Sequence, residues 1–125
     1  MKTFLIVDDT PSKLNFLTEI VEREWSGQVL TANTTENAMA IIDAFPVDAA
    51  FVDYYIPSQY GPAVISHLRD RWPKAKIALV SSVDDEANSA QARGAGADTV
   101  ICAAPRGPAV KETLVTLLRA WKTEK

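Results

Sequence analysis

Three aspartates and a pair of serines stand at the ends of apolar runs in this sequence. Phe4–Val7 stops at Asp8 and Asp9, Ala49–Val52 stops at Asp53, and Ile77–Val80 stops at Ser81 and Ser82. Adjacent carboxylates at the end of an apolar run repel each other and lose solvation if buried. A third carboxylate brought near them demands a cation or raised pKa values. Oxygen-only ligands select a hard divalent ion, and a few carboxylates that leave room for retained water suit Mg2+. Asp53 beside such an ion could attack phosphorus, with the ion neutralising the developing charge and Ser81 donating to a phosphoryl oxygen. Each residue also has a plainer explanation when taken singly. Asp8 or Asp9 could be a cap or turn residue, Asp53 the start of a loop, and Ser81 or Ser82 a helix cap. The chemistry depends on whether the chain brings them together.

Five runs, Phe4–Val7, Val29–Ala32, Ala49–Val52, Ile77–Val80 and Thr99–Cys102, are nearly continuously apolar, the pattern of strands covered on both faces. Five helical patterns alternate with them. Thr10 is placed to cap the first, Pro11 suits its first turn, and Leu14, Leu17, Ile20/Val21 and Trp25 share a face. The second has Thr34/Thr35 as caps and Ala38, Ile41, Ile42 and Phe45 at core spacing. The third follows Gly61-Pro62 with Val64/Ile65, Leu68 and Trp72, and Pro73 ends it. Asp84, Asp85 and Glu86 open the fourth, whose body ANSAQARGAG offers only alanines to a core. The fifth carries the stripe Val110, Leu114, Leu117, Leu118 and Trp121. Strict alternation with short connections predicts a parallel sheet between helices, joined by right-handed crossovers. In the five-stranded order 2-1-3-4-5, ligands bind outside the carboxyl ends of strands 1 and 3, where strand order reverses. That edge is where Asp8, Asp9, Asp53 and Ser81 would meet.

The bulk properties agree. A chain of 125 residues predicts one domain, with about two-thirds of its unfolded surface buried. Apolar residues make up 47% and charged residues 23%, ordinary values for a globular protein. Thirteen basic residues against sixteen acidic ones give a net charge of −3 with no basic cluster, so there is no footprint for direct nucleic-acid binding. Cys102 is the single cysteine, which excludes a disulfide within the chain and fits a reducing compartment. The run MKTFLIV is too short for a signal peptide, and no segment approaches the ~20 apolar residues of a membrane span. The expected location is cytoplasmic. The chain reads either as a stand-alone protein or as a domain cut from a longer one.

Over essentially its whole length the sequence resembles the receiver domain of two-component response regulators. The resemblance is carried by LIVDDTP after strand 1, by FVDYYIPSQYG with its Pro and Gly four and eight residues past Asp53, by VSS after strand 4, and by GAD before strand 5. It implies a flavodoxin-like three-layer α/β sandwich. Asp53 matches the phospho-accepting aspartate. Asp9 and Asp53 match direct ligands of Mg2+ (or Mn2+), Tyr55 matches the position whose backbone carbonyl also ligates the metal, and Asp8 matches the partner acting through metal-bound water. Ser81, with Ser82 beside it, matches the hydroxyl position that binds and reports the phosphoryl group. The implied donor is a sensor histidine kinase or His-containing phosphotransfer protein. The helix 4–strand 5–helix 5 face is the implied surface for an output partner, which the sequence does not name.

The sequence departs from the family at strand 5, where receivers carry Lys-Pro and this chain reads TVICAAPRG. Counting from Gly96-Ala97-Asp98 puts Ala103 in the lysine position, and counting back from Pro105 puts Ala104 there. Val100 takes the aromatic switch position. The expectation is therefore a phosphorylatable receiver with altered output coupling, whose only catalysis is its own phosphorylation and dephosphorylation. A lysine there would be worth about 1.5–3 kcal/mol as a charge-assisted hydrogen bond to the phosphoryl group. Arg106 is near in sequence but reads as a solvated loop residue, and Lys111 lies too far along helix 5. The resemblance also points to a cis Ala104-Pro105 bond.

The alternative is a phosphorylation-independent pseudo-receiver acting through protein contacts, favoured by the missing lysine and aromatic. An aspartate-based phosphatase of the haloacid dehalogenase type needs Asp-x-Asp after strand 1, where this chain has Thr10 in the third position. An FMN binder lacks its phosphate loop. His67 reads as a surface residue and Cys102 as core filling in strand 5. Tyr54 and Tyr55 flank the proposed site, and Tyr55 either controls water access to it or is an exposed loop aromatic.

Overall fold

The computed structural model describes residues 2–123. Elements alternate as β1 (Thr3–Val7), α1 (Pro11–Glu24), β2 (Gln28–Ala32), α2 (Thr35–Ala44), β3 (Ala49–Val52), α3 (Gly61–Arg71), β4 (Lys76–Ser81), α4 (Glu86–Ala95), β5 (Thr99–Cys102) and α5 (Pro108–Thr123). The strands form one parallel sheet in the order β2-β1-β3-β4-β5, as the alternation predicts. Successive side chains on a strand point to opposite faces, and the core divides accordingly. Phe4 and Ile6 of β1, Phe51 of β3 and Val80 of β4 pack with Leu17, Ile20 and Val21 of α1 and Leu114 and Leu118 of α5. Leu5, Val7, Val52, Ile77 and Leu79 pack on the opposite face with Ile42 of α2, Val64, Ile65 and Leu68 of α3, and Ala92 of α4. The rings of Phe4 and Phe51 meet edge-on with centroids 4.9 Å apart, joining β1 to β3 beneath the sheet edge where the aspartates sit.

Some expectations need correction. Coverage on both faces holds for β1, β3 and β4, whereas β2 and β5 are edge strands and only partly buried. Cys102 is exposed rather than core filling, because it is the last residue of edge strand β5. Phe45 is 40% exposed because α2 ends at Ala44 and the chain turns extended at Phe45. Thr10 stands at the N-cap of α1, but its hydroxyl makes no capping bond. Its backbone N–H donates instead to Oδ1 of Asp8. Thr34 does cap α2, accepting from the Asn37 N–H, and Asp85 caps α4 by accepting from the Asn88 N–H. On α1 the buried set is Lys13, Leu17, Ile20 and Val21, with Leu14 only partly buried. The Ala104-Pro105 peptide is cis. Among the described residues no helix is long and apolar enough to cross a membrane.

Candidate functional site

The parallel ladder places the acidic residues side by side. The Asp8 N–H donates to the Ala32 carbonyl at 3.0 Å, and the Asp53 N–H donates to the Val7 carbonyl at 2.9 Å. Both aspartates thus leave the sheet at the same level, at the carboxyl ends of β1 and β3. One carboxylate oxygen from each of Asp8, Asp9 and Asp53 lies within 4.8 Å of the others. Asp8 is fully buried, Asp53 nearly so, and Asp9 faces solvent. The convergence of the three carboxylates expected from the sequence is therefore present.

A fourth side chain, absent from the sequence reading, sits among them. Lys13 points inward from the first turn of α1 and is 2% exposed. Its Nζ lies 2.8 Å from Oδ2 of Asp8 and 3.1 Å from Oδ1 of Asp53, and donates to the Val80 carbonyl at 2.7 Å. Ammonium groups are almost never buried unless paired, and this one donates to two acceptors, Asp53 and Val80, and forms an ion pair with Asp8. The approach to Asp8 is a charge contact rather than an aligned hydrogen bond, so Oδ2 of Asp8 keeps an unfilled acceptor direction inside the protein. Asp53 Oδ1 also accepts from the Tyr54 N–H at 2.9 Å. Burial raises the Asp53 pKa above its ordinary value and Asp8 adds to the rise, while the Lys13 ammonium opposes both.

Ser81 is buried at the end of β4, where its Oγ accepts from the Val83 N–H at 3.2 Å, and Ser82 is exposed. Neither serine caps α4, a duty Asp85 takes. Ala103 is fully buried with its N–H bonded to the Ser81 carbonyl at 2.7 Å, whereas Ala104 is exposed. Val100 is half-buried on β5. Arg106 reaches Ser12 at 3.1 Å and makes no bond to the aspartates. Tyr54 is buried with its hydroxyl donating to Gln91 of α4 at 2.6 Å. Tyr55 is 46% exposed and forms an aromatic cluster with Tyr54 and Tyr60 beside the acidic edge. His67 is a surface residue paired with Asp43 at 2.8 Å.

Three carboxylates, one of them with an unfilled buried oxygen, suit a hard divalent cation. The buried lysine means that such an ion would join a positive charge already in place.

Comparison with known proteins gives a consistent result. The sequence profile of the response regulator receiver domain matches residues 4–103. The chain is 32% identical over 100 residues to the response regulator GtcR of Aneurinibacillus migulanus, covering 80% of this chain and 40% of that protein. It is 27% identical to the chemotaxis protein CheY of Halobacterium salinarum, covering 95% of this chain and 98% of that one. The CheY-like receiver protein of Methanospirillum hungatei superposes with a TM-score of 0.82 at 27% identity, covering 100% of this chain and 99% of that one.

Proposed function

We propose that this chain, which belongs to the response regulator receiver domain family, accepts a phosphoryl group on Asp53 in a Mg2+-dependent signalling relay. The observation that carries this reading is the meeting of Asp8, Asp9 and Asp53 within 4.8 Å at the switch point of the sheet. One carboxylate oxygen of Asp53 forms a bond to phosphorus as the bond from phosphorus to the donor's leaving atom breaks. With a phosphohistidine donor that atom is an imidazole nitrogen, which takes up a proton. Water then attacks phosphorus, releasing inorganic phosphate and restoring the carboxylate.

Asp9 and Asp53 are the direct metal ligands in this reading, with the Tyr55 carbonyl as a further one and Asp8 acting through water. When bound, Mg2+ or Mn2+ held by these residues would supply positive charge against the phosphoryl oxygens. Ser81 is the hydroxyl donor to a phosphoryl oxygen, and Ser82, being exposed, contributes less. Ala103, buried beside Ser81, holds the place of the family's strand-5 lysine. The donor is a sensor histidine kinase or a His-containing phosphotransfer protein. An output partner engages the α4–β5–α5 face, with coupling altered by Val100 in the aromatic position.

The test is intact-mass analysis of wild type and Asp53→Ala after acetyl phosphate, with Mg2+ present and absent. A phosphoryl adduct only on the wild type with Mg2+ is expected. No adduct under any condition would sink the reading. One observation favours a second reading, a receiver fold that signals without phosphorylation: Lys13 already pairs with both buried carboxylates, so the folded site does not need a metal. An output unchanged by Asp53→Asn would select that second reading.

A further inference from the structure

We propose that Lys13 is the cation that grips the phosphoryl group on Asp53, doing from α1 what the alanine just after β5 cannot do. The inference rests on the phosphoryl-accepting reading of Asp53. Among the described residues, Lys13 is the only basic side chain with a hydrogen bond or ion pair to that carboxylate, at 3.1 Å. It is held there by contacts on two further sides, Asp8 at 2.8 Å and the Val80 carbonyl at 2.7 Å. Its burial, 2% exposed, keeps the interaction out of bulk water, where an ion pair would be weak. Immediately after β5, Ala103 is fully buried among α1- and α5-facing residues, so the chain contributes only a methyl group there, on the side of the sheet from which Lys13 arrives.

Phosphorylation replaces one negative charge at Asp53 by as much as about two, spread over phosphoryl oxygens. No proton need move for the lysine to respond. Its ammonium exchanges a carboxylate oxygen for a phosphoryl oxygen, and the flexible four-carbon stem allows that shift while α1 stays in place. Asp8 and Val80 retain the head group at the site throughout. The purely structural reading is that Lys13 only neutralises Asp8. That reading predicts a site whose grip on a phosphoryl group is indifferent to Lys13.

The test uses beryllofluoride, a phosphoryl mimic that coordinates a carboxylate oxygen, titrated with Mg2+ present into wild type and Lys13→Met by calorimetry. Lys13→Met is expected to bind about tenfold to a hundredfold more weakly, the share of one charge-assisted hydrogen bond. In the wild type, the Lys13 Nζ resonance in lysine-selective NMR is expected to shift on adding beryllofluoride. Equal affinity of folded Lys13→Met and wild type overturns the proposal, as does a Lys13 resonance unmoved at saturation. The NMR arm needs no variant and decides the matter if Lys13→Met fails to fold. A wild type that binds no beryllofluoride would instead sink the phosphoryl-accepting reading, and this inference with it.

Discussion

Gly61 lies against the carbonyl of Asp53 so closely that any Cβ on it would overlap that oxygen. The Gly61 N–H donates to the Tyr54 carbonyl at 2.7 Å, which pins the start of α3 to the backbone of the site. The glycine four residues past Pro57 therefore serves close approach of two backbones. Gly61→Ala is expected to cost about 1–3 kcal/mol through overpacking, read as a lower urea midpoint. Gly94, in α4, has open space around its Cα. Gly94→Ala should raise stability by about 0.5–1 kcal/mol from helix propensity. Equal effects of the two substitutions would contradict this account.

The buried charges should behave as one unit. Removing the ammonium alone, in Lys13→Ala, leaves Asp8 buried without its counter-ion and is expected to cost about 3–5 kcal/mol. Asp8→Asn combined with Lys13→Ala should cost clearly less than the sum of the single changes. Simple additivity in urea unfolding would show that the two groups are not coupled.

Asp9 is the position at which the proposed metal binding should part from folding. It is exposed and makes no hydrogen bond or ion pair to other described residues. Asp9→Asn should leave metal-free stability within about 0.5 kcal/mol of wild type. The same change should weaken Mg2+ binding at least about tenfold in calorimetric titration, since it removes a carboxylate from a hard-ion site. Unaltered Mg2+ affinity would remove Asp9 from the ligand set.

Helix α4 should be the most loosely held element. Ala92 is its one buried residue, against four on α5. Its hydrogen bonds to the site are the Tyr54 hydroxyl donating to Gln91 at 2.6 Å and the Asn88 side-chain amide donating to the Tyr55 hydroxyl at 3.3 Å. Amides of α4 are expected to exchange with deuterium faster than those of α1 and α5, and faster still in Tyr54→Phe. Protection equal to that of α5 would refute this.

Asp98 braces the opposite end of β4. Its Oδ2 accepts from the Ile77 N–H at 2.7 Å and from Arg69 at 3.0 Å. Asp98→Ala should cost about 1–2 kcal/mol. The loss should persist at high salt, because the exposed ion pair contributes little and the backbone hydrogen bond carries the effect. A loss abolished by salt would reverse that assignment.

Much of this architecture is legible in the sequence, and the gaps have physical causes. The central strands announce themselves because burial on both faces leaves no polar position within Phe4–Val7 or Ala49–Val52. The acidic convergence follows once those strands are neighbours, since Asp8 and Asp53 each come directly after one. Lys13 escaped because a helical period counted back from Leu17 falls between positions 13 and 14, and the apolar Leu14 takes the place by default. Charge balance was the available signal: with alanines after β5, the aspartates needed a cation, and Lys13 lies four residues past Asp9. Phe45 and Cys102 were misplaced because hydrophobicity alone does not mark where a helix ends or which strand is an edge.

Since Lys13 follows Asp8 by only five residues, the pairing of the buried carboxylate with its counter-charge becomes a hereditary property of one short segment. A graft of residues 8–13 into another fold of this kind would carry acid and counter-charge together. A crossover within the segment would part them and strand a carboxylate in the interior. The stretch after β5 is correspondingly released from charge duty, so its sequence can drift without upsetting the balance at the opposite end of the chain.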